Sequence, residues 1–372
     1  MRTANSTRRA TTLGLLAMAI WSTTVGASRV VMERLGSFPG AAVVLLSGGL
    51  VLLAATTVRY RGLGWVRKLS VPHIIHAGPL FILYMAAMYG AVGLAQTRVE
   101  AIAAGLANYL WPTMILVFAV VLLHERPRGP ALALGSVLAL CGIVLAASTN
   151  VGGVRELAAV FRTPSISLGL GLVAGVAWGL YSVLVRIHRQ SVPSGALGLF
   201  LLAAGLIMAA LGAAAWQDVR FDLETALVVL YMACLPTSLA YWLWDLAMRD
   251  GDVPALGALS NLIPVVAAGF AIAVLGVAWR WELLGGALLV SLGAVVARGA
   301  FRAAAAGSGK GNPRRREATA RTSVSRLRGE SPWGARASHR LPLPVLRAPP
   351  SPLVRRDATD GEAGHGGCDE WR

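Results

Sequence analysis

Up to about residue 300 the chain is a succession of apolar runs, each about 18–23 residues long, joined by short polar segments. Each run can cross a hydrocarbon core of about 30 Å at 1.5 Å per residue. In hydrocarbon every backbone N–H and C=O must be satisfied within the spanning structure, so only helices and closed barrels are possible. A barrel needs roughly ten-residue segments of alternating polarity, and these runs do not alternate. The fold class is therefore an all-α polytopic membrane protein. Composition agrees: 56% of residues are hydrophobic and 14% charged, whereas a soluble domain carries roughly a quarter charged residues.

Ten spans are predicted, near Thr12–Ser28, Ala41–Val58, Ile74–Leu94, Ala101–Leu123, Ala131–Ser148, Leu168–Val185, Gly195–Ala215, Thr225–Ala247, Val253–Leu275 and Glu282–Ala297. The N-terminus carries Arg2, Arg8 and Arg9, then an apolar run and "VGAS". That pattern also fits a signal peptide, but nine further spans favour a retained first helix. With residues 1–11 in the cytoplasm, Arg59, Arg61, Arg67, Lys68, Arg126, Arg128, Arg186, Arg189 and Arg249 fall in inner loops, a moderate positive-inside bias. Ten spans then place both termini inside. The net charge of +16 is explained by these boundaries and by a basic tail, not by nucleic-acid binding. The tail, residues 299–372, contains "NPRRRE" and "RAPPSP" and no apolar period, and is expected to be disordered.

The first five spans resemble the second five. "LGLLAMAIWSTTVGASR" (13–29) aligns without gaps to "LGLVAGVAWGLYSVLVR" (170–186), matching Trp21 with Trp178 and Arg29 with Arg186. "EAIAAGLANYLWPTMILVFAVVLL" (100–123) aligns to "DVPALGALSNLIPVVAAGFAIAVL" (252–275), matching Gly105, Leu110, Pro112 and Phe118 with Gly257, Leu262, Pro264 and Phe270. Five is odd, so the second copy enters the membrane from the opposite side. The expected architecture is two inverted five-helix repeats, residues 12–148 and 168–298, joined by a loop at 149–167, around a central cavity. Transporters built this way bind substrate at the repeat interface near mid-membrane, at interrupted helices.

Spans four and nine are those interrupted helices. Proline has no amide N–H, so Pro112 and Pro264 free the carbonyls of Asn108 and Ser260. Such groups must face protein or a wet cavity. A freed carbonyl can accept from an ammonium, and the side chains of Asn108 and Asn261 add amide donors for a carboxylate. A packed proline kink is the plainer alternative. Aromatic residues divide into two sets. Trp65, Trp216, Trp279 and Trp281 fall at span ends, where an interfacial belt is expected. Trp21, Trp111, Trp178, Tyr84, Tyr109, Tyr181 and Tyr241 lie inside spans, with Trp244. Their polar tips need partners when buried, and a cavity lined by them would stack a ring. Inter-helix packing is the alternative for each one.

Asp245 is the clearest charge inside a span. It is a possible coupling site, or a helix pair with Arg249 four residues on. "GLGLVAGVAWG" (169–179) has small residues at four-residue spacing, which suits close helix packing in a membrane rather than phosphate binding. Cys141, Cys234 and Cys368 form no disulfide or zinc pattern, and the six histidines are scattered. No Ser/His/Asp arrangement or paired carboxylates occur, so neither an enzyme nor a cofactor is expected.

"TTLGLLAMAIWSTTVG", "LANYLWPTMILVFAVVL" and "AYWLWDLAMRDGDVPALGALSNLIPVVAA" resemble the EamA type of the drug/metabolite transporter superfamily, and within it the bacterial aromatic amino acid exporters. The resemblance covers about residues 10–300. It implies export of aromatic and other apolar amino acids across the bacterial inner membrane. It also implies that Tyr109, Trp111 and Pro112 belong to the central cavity and Pro264 to its inverted counterpart. Asp245 departs from that pattern, where Asn is expected. The first span lacks the membrane-embedded Glu of the small multidrug transporters, which counts against cation/proton antiport. The reading is a monomeric exporter, with Trp21, Tyr84, Asn108, Tyr109, Trp111, Trp178, Tyr181, Tyr241 and Asn261 at the substrate and Pro112 and Pro264 as hinges. Efflux of drugs or other metabolites and a non-transporting membrane receptor or scaffold are the alternatives.

Overall fold

In a computed structural model, the described residues are 4–148, 152–162, 165–188, 195–214, 221–267, 269 and 281–309, within a compact unit Met1–Lys310. They are helical throughout, with no strand among them. Trp216, Trp279, the end of span nine beyond 269, and the tail from 310 with His339, His365 and Cys368 lie outside the described residues.

The helices are α1 (Ala4–Ser22), α2 (Thr24–Leu35), α3 (Ser37–Arg59), α4 (Val71–Gly93), α5 (Arg98–Asn108), α6 (Trp111–Leu122) and α7 (Gly129–Ser148). After them come α8 (Val154–Phe161), α9 (Ile166–Ile187), α10 (Gly195–Leu211), α11 (Leu223–Met232), α12 (Ala240–Asp250), α13 (Val253–Ser260) and α14 (Trp281–Gly309). Seven of the described helical stretches are long and apolar enough to span a membrane, and Ala196–Leu211 is a shorter apolar helix. The expected ten are thus not all present as long uninterrupted spans.

Several boundaries differ from expectation for identifiable reasons. The first span breaks at Thr23 instead of running to Ser28, and its helix already begins at Ala4, inside the segment expected as a free N-terminus. Three consecutive hydroxyls bond back onto the preceding turn: Ser22 to the Met18 carbonyl (2.8 Å), Thr23 to Ile20 (2.7 Å) and Thr24 to Trp21 (2.7 Å). Such bonds compete with the helical ladder. The 149–167 connection contains α8, which follows Gly153 at φ 129 and buries Leu157. The last helix continues to Gly309, into the segment assigned to the tail. Trp65, expected in the interfacial belt, is buried in a short 3₁₀ turn, Leu63–Lys68, with its indole N–H donating to the Thr57 hydroxyl at 3.3 Å. Trp281 is exposed, as a belt residue would be.

Span eight is not one helix. Between α11 and α12 the backbone widens into a π turn, Ala233–Leu239, around Pro236. Insertion of one residue into the ladder accommodates a ring that cannot donate. The Ser238 hydroxyl then reaches the carbonyls of Ala233 and Gly48, both at 2.7 Å.

Long-range packing takes one helix from each half of the chain: α7 on α14, α3 on α10, α4 on α9 and α1 on α12. Small residues make these approaches possible. A Cβ at Gly142 of α7 would lie 2.6 Å from the Gly286 carbonyl of α14, so glycine is required at that contact. The stripe Gly171, Gly175 and Gly179 on α9 presses on α5 and α6, and so carries the interruption between them.

Candidate functional site

The two interrupted spans each break in a two-residue turn. α5 ends at Asn108 and α6 starts at Trp111; α13 ends at Ser260 and helix resumes at 263. The Leu110 N–H reaches back three residues to Ala107 (3.2 Å), and the Leu262 N–H reaches Leu259 (2.9 Å). Met114 then bonds Leu110 (2.9 Å), and Val266 bonds Leu262 (3.0 Å). Pro112 therefore sits in the first turn of α6, where a missing N–H costs nothing. Pro264 holds the equivalent place.

Beside the first break lies a cavity of about 310 Å³. Trp21 of α1, Thr24, Ser28 and Met32 of α2, and Tyr84, Met88, Tyr89 and Val92 of α4 form one side. Asn108, Tyr109 and Trp111 of the break, Trp178 of α9, and Met232, Pro236, Thr237 and Tyr241 of span eight form the other, with Leu45 and Ile263. None of these described lining residues is an acid or a basic side chain.

Trp178 is the centre of the aromatic wall. It lies tilted against Tyr84 (centroids 4.7 Å apart), stacks on Tyr181 (5.3 Å) and Trp244 (6.2 Å), and meets Tyr241 (5.4 Å), Trp21 (5.9 Å) and Trp111 (6.4 Å) edge-on. Offset and edge-to-face pairs of this kind contribute about 0.5–1.5 kcal/mol each beyond area burial. The Trp21 indole N–H donates to the Pro236 carbonyl at 3.0 Å, and Trp244 donates to the Ser182 hydroxyl at 3.1 Å. Among the cavity's polar groups the side-chain oxygen of Asn108 is buried without a hydrogen-bond partner. A buried acceptor left this way costs about 1–3 kcal/mol, which a donor on a ligand would recover.

Seven of the nine expected substrate residues thus meet at one cavity: Trp21, Tyr84, Asn108, Tyr109, Trp111, Trp178 and Tyr241. Two do not reach it. Tyr181 lies behind Trp178, fully buried. Asn261 is buried, with its amide donating to the Ala258 carbonyl at 3.2 Å. The ninth span is instead represented by Ile263, whose carbonyl accepts from Ser22 at 3.3 Å. The carbonyl of Asn108 is also not open to a ligand, because Gly175 packs on it; a Cβ there would lie 2.8 Å away. Asp245 lies outside the cavity lining and is buried against Arg249 at 2.5 Å, the helix pair that its spacing allows. Arg186 joins this group through the Arg249 carbonyl at 2.7 Å.

Sequence reasoning missed Pro236 and Thr237. The signal was present: the spacing that carries Trp21 onto Trp178 also carries Pro79 onto Pro236 and Tyr84 onto Tyr241. It also treated the histidines as scattered, whereas the rings of His73 and His76 each lie 5.7 Å from that of His188. No group able to hold a metal ion occurs among the described residues.

The EamA-like transporter family model matches the chain twice, at residues 8–148 and 165–299. The chain is 27% identical over 300 residues to the aromatic amino acid exporter YddG of Salmonella typhimurium, covering 78% of this chain and 97% of that one. It is 32% identical over 273 residues to the protein of the same name from Ancylobacter novellus, covering 70% of this chain and 89% of that one. A solved structure, described only as the crystal structure of a protein, superposes with a TM-score of 0.67 at 26% identity, over 78% of this chain and 97% of its own.

Proposed function

From the premise that the chain belongs to the EamA-like transporter family, and so is a membrane transporter rather than an enzyme, we propose that it exports aromatic and other apolar amino acids. The observation that carries this reading is the aromatic cavity at the first break, with the unpartnered oxygen of Asn108 in its wall. Its volume is at the lower end of the range for small-molecule sites. The substrate ring stacks among Trp21, Trp111, Trp178, Tyr84, Tyr109 and Tyr241. The ammonium donates to Asn108, which replaces the expected role of the freed carbonyls. The similarity to exporters named for aromatic amino acids points the same way.

The wall holds no carboxylate among its described residues, which favours zwitterions over lipophilic cations. Asp245 serves as a buried structural partner of Arg249, so flux is expected to be independent of an imposed pH gradient. The chain acts as a monomer in the bacterial inner membrane, with no nucleic-acid partner. With both termini cytoplasmic, the cavity faces outward, because α4 ends at that side. Two inverted five-helix repeats rock about the breaks at Pro112 and Pro264 to give alternating access. The doubled family match, the two corresponding backbone bonds at the breaks and the pairing of α4 on α9 with α1 on α12 support that scheme.

Uptake of labelled phenylalanine or tryptophan into proteoliposomes tests the reading. Saturable uptake that unlabelled apolar amino acids compete away, and lipophilic cations do not, is the expected result. Absence of flux from folded, reconstituted protein would leave the receptor or scaffold alternative in its place.

A further inference from the structure

The central residues come in related pairs, Trp21 with Trp178, Pro79 with Pro236 and Tyr84 with Tyr241, all at one constant spacing. The ring contacts obey the pairing. Trp21 meets Tyr241 at 5.1 Å, and Trp178 meets Tyr84 at 4.7 Å. The backbone and the hydrogen bonds do not obey it. Around Pro236 the helix is widened into a π turn, and the carbonyl of Pro236 accepts from Trp21. Around Pro79, α4 stays a regular α-helix from Val71 to Gly93. Trp178 has no corresponding indole bond among the described residues.

Two carbonyls of the widened turn take a side-chain donor, Ala233 from the Ser238 hydroxyl and Pro236 from the Trp21 indole, and in a membrane such added bonds favour the widened form. The constant spacing gives the fold a second indole and proline, Trp178 and Pro79, whose bond this conformation does not use. We propose that Trp21 and Trp178 exchange this bond as the carrier turns. When the cavity closes on its present side, span eight tightens and Trp21 releases Pro236. α4 then widens at Pro79, and Trp178 donates to the Pro79 carbonyl. One indole–carbonyl bond exists in each state, so the two states stay close in free energy, as a carrier that must visit both requires. Trp21 and Trp178 are thus positioning residues for the two conformations as well as cavity walls. The exchange rests on the alternating-access reading.

The test uses the full chain in membrane vesicles, with Cys141, Cys234 and Cys368 replaced by Ser and Ser28 of the cavity wall changed to Cys. The rate of labelling by a membrane-impermeant maleimide reports the open cavity. Trp21→Phe is expected to slow labelling about fivefold, and Trp178→Phe to accelerate it about fivefold, the shift that follows from one net hydrogen bond. Pro236→Ala and Pro79→Ala repeat the test without touching the rings, and are expected to slow and to accelerate labelling respectively. General damage moves all four variants the same way. Shifts of the same sign within either pair, or no shift, overturn the exchange. Addition of phenylalanine to the protein with all tryptophans intact tests alternation itself. If phenylalanine changes labelling while the variants fail to split, the exchange alone is refuted; if it does not, alternation falls as well.

Discussion

Two pairs of prolines sit at corresponding places in the two halves, and the structure treats them differently. At Pro112 and Pro264 two backbone bonds correspond, Leu110 to Ala107 with Leu262 to Leu259, and Met114 to Leu110 with Val266 to Leu262, within a few tenths of an ångström. At Pro79 and Pro236 the backbone differs: one helix is regular and the other is widened. In the proposed alternation, likeness at the first pair marks a device that both conformations share, and difference at the second marks what this conformation has selected. The aromatic wall lies between them, so a ligand there touches both kinds of element.

The largest test of this contrast concerns the breaks. Pro112→Ala and Pro264→Ala each supply a missing donor and let the helix run through. Both should lower the phenylalanine flux rate by more than about tenfold and to a similar extent, since a backbone bond restored in hydrocarbon favours the straight helix. A loss in only one of them would break the equivalence. Next in size, Asp245→Ala should lower thermal stability by about 3 kcal/mol, because it removes the carboxylate that lies 2.5 Å from the buried Arg249 guanidinium. Thermal unfolding in detergent measures it, and flux under an imposed pH gradient should remain as insensitive as in the wild type.

A smaller effect separates the two breaks as binding surfaces. Trp111→Ala removes ring contacts to Trp178 and Trp244 and should raise the half-saturating concentration about tenfold. Asn261→Ala, which alters a residue behind the wall, should change it by less than about twofold. Equal effects would mean that both breaks face the substrate. The smallest effect is at the rim. Arg34 of α2 bonds Asp222 (2.5 Å) and Glu224 (3.1 Å) at the start of α11. The N–H and hydroxyl of Thr225, with Arg34 beside them, hold the Asp222 carboxyl down at about 2, below its ordinary 3.8. Its contribution is therefore fully present above pH 3.8 and is lost as pH falls through about 2. The unfolding temperature should therefore lose nothing from this group down to pH 4, and Asp222→Asn should shift it only slightly.

Much of the candidate site's lining was legible in the sequence because membrane depth limits what a residue can do. A proline, an amide and two ring types in mid-span need a reason in hydrocarbon, and most of those named residues meet at one cavity. Tyr181 and Asn261 did not, because position along a span fixes depth but not the direction a side chain faces. The fold was legible where long apolar runs were uninterrupted. It was not legible at Ser22–Thr24, where hydroxyls end a helix, or at Pro236, where a ladder widens instead of breaking. The Asp245–Arg249 pair was readable from four-residue spacing alone; its burial depends on α9 and Arg186, which spacing does not reveal.

The glycine stripe of α9 has one further implication. With Gly175 seated on the Asn108 carbonyl, a roll of span four about its own axis would drive that carbonyl into span six. Room in the cavity is then open to change by mutation at its other walls, α1, α2, α4 and span eight, since a larger residue at 171, 175 or 179 would derail the segment that carries Asn108, Tyr109 and Trp111.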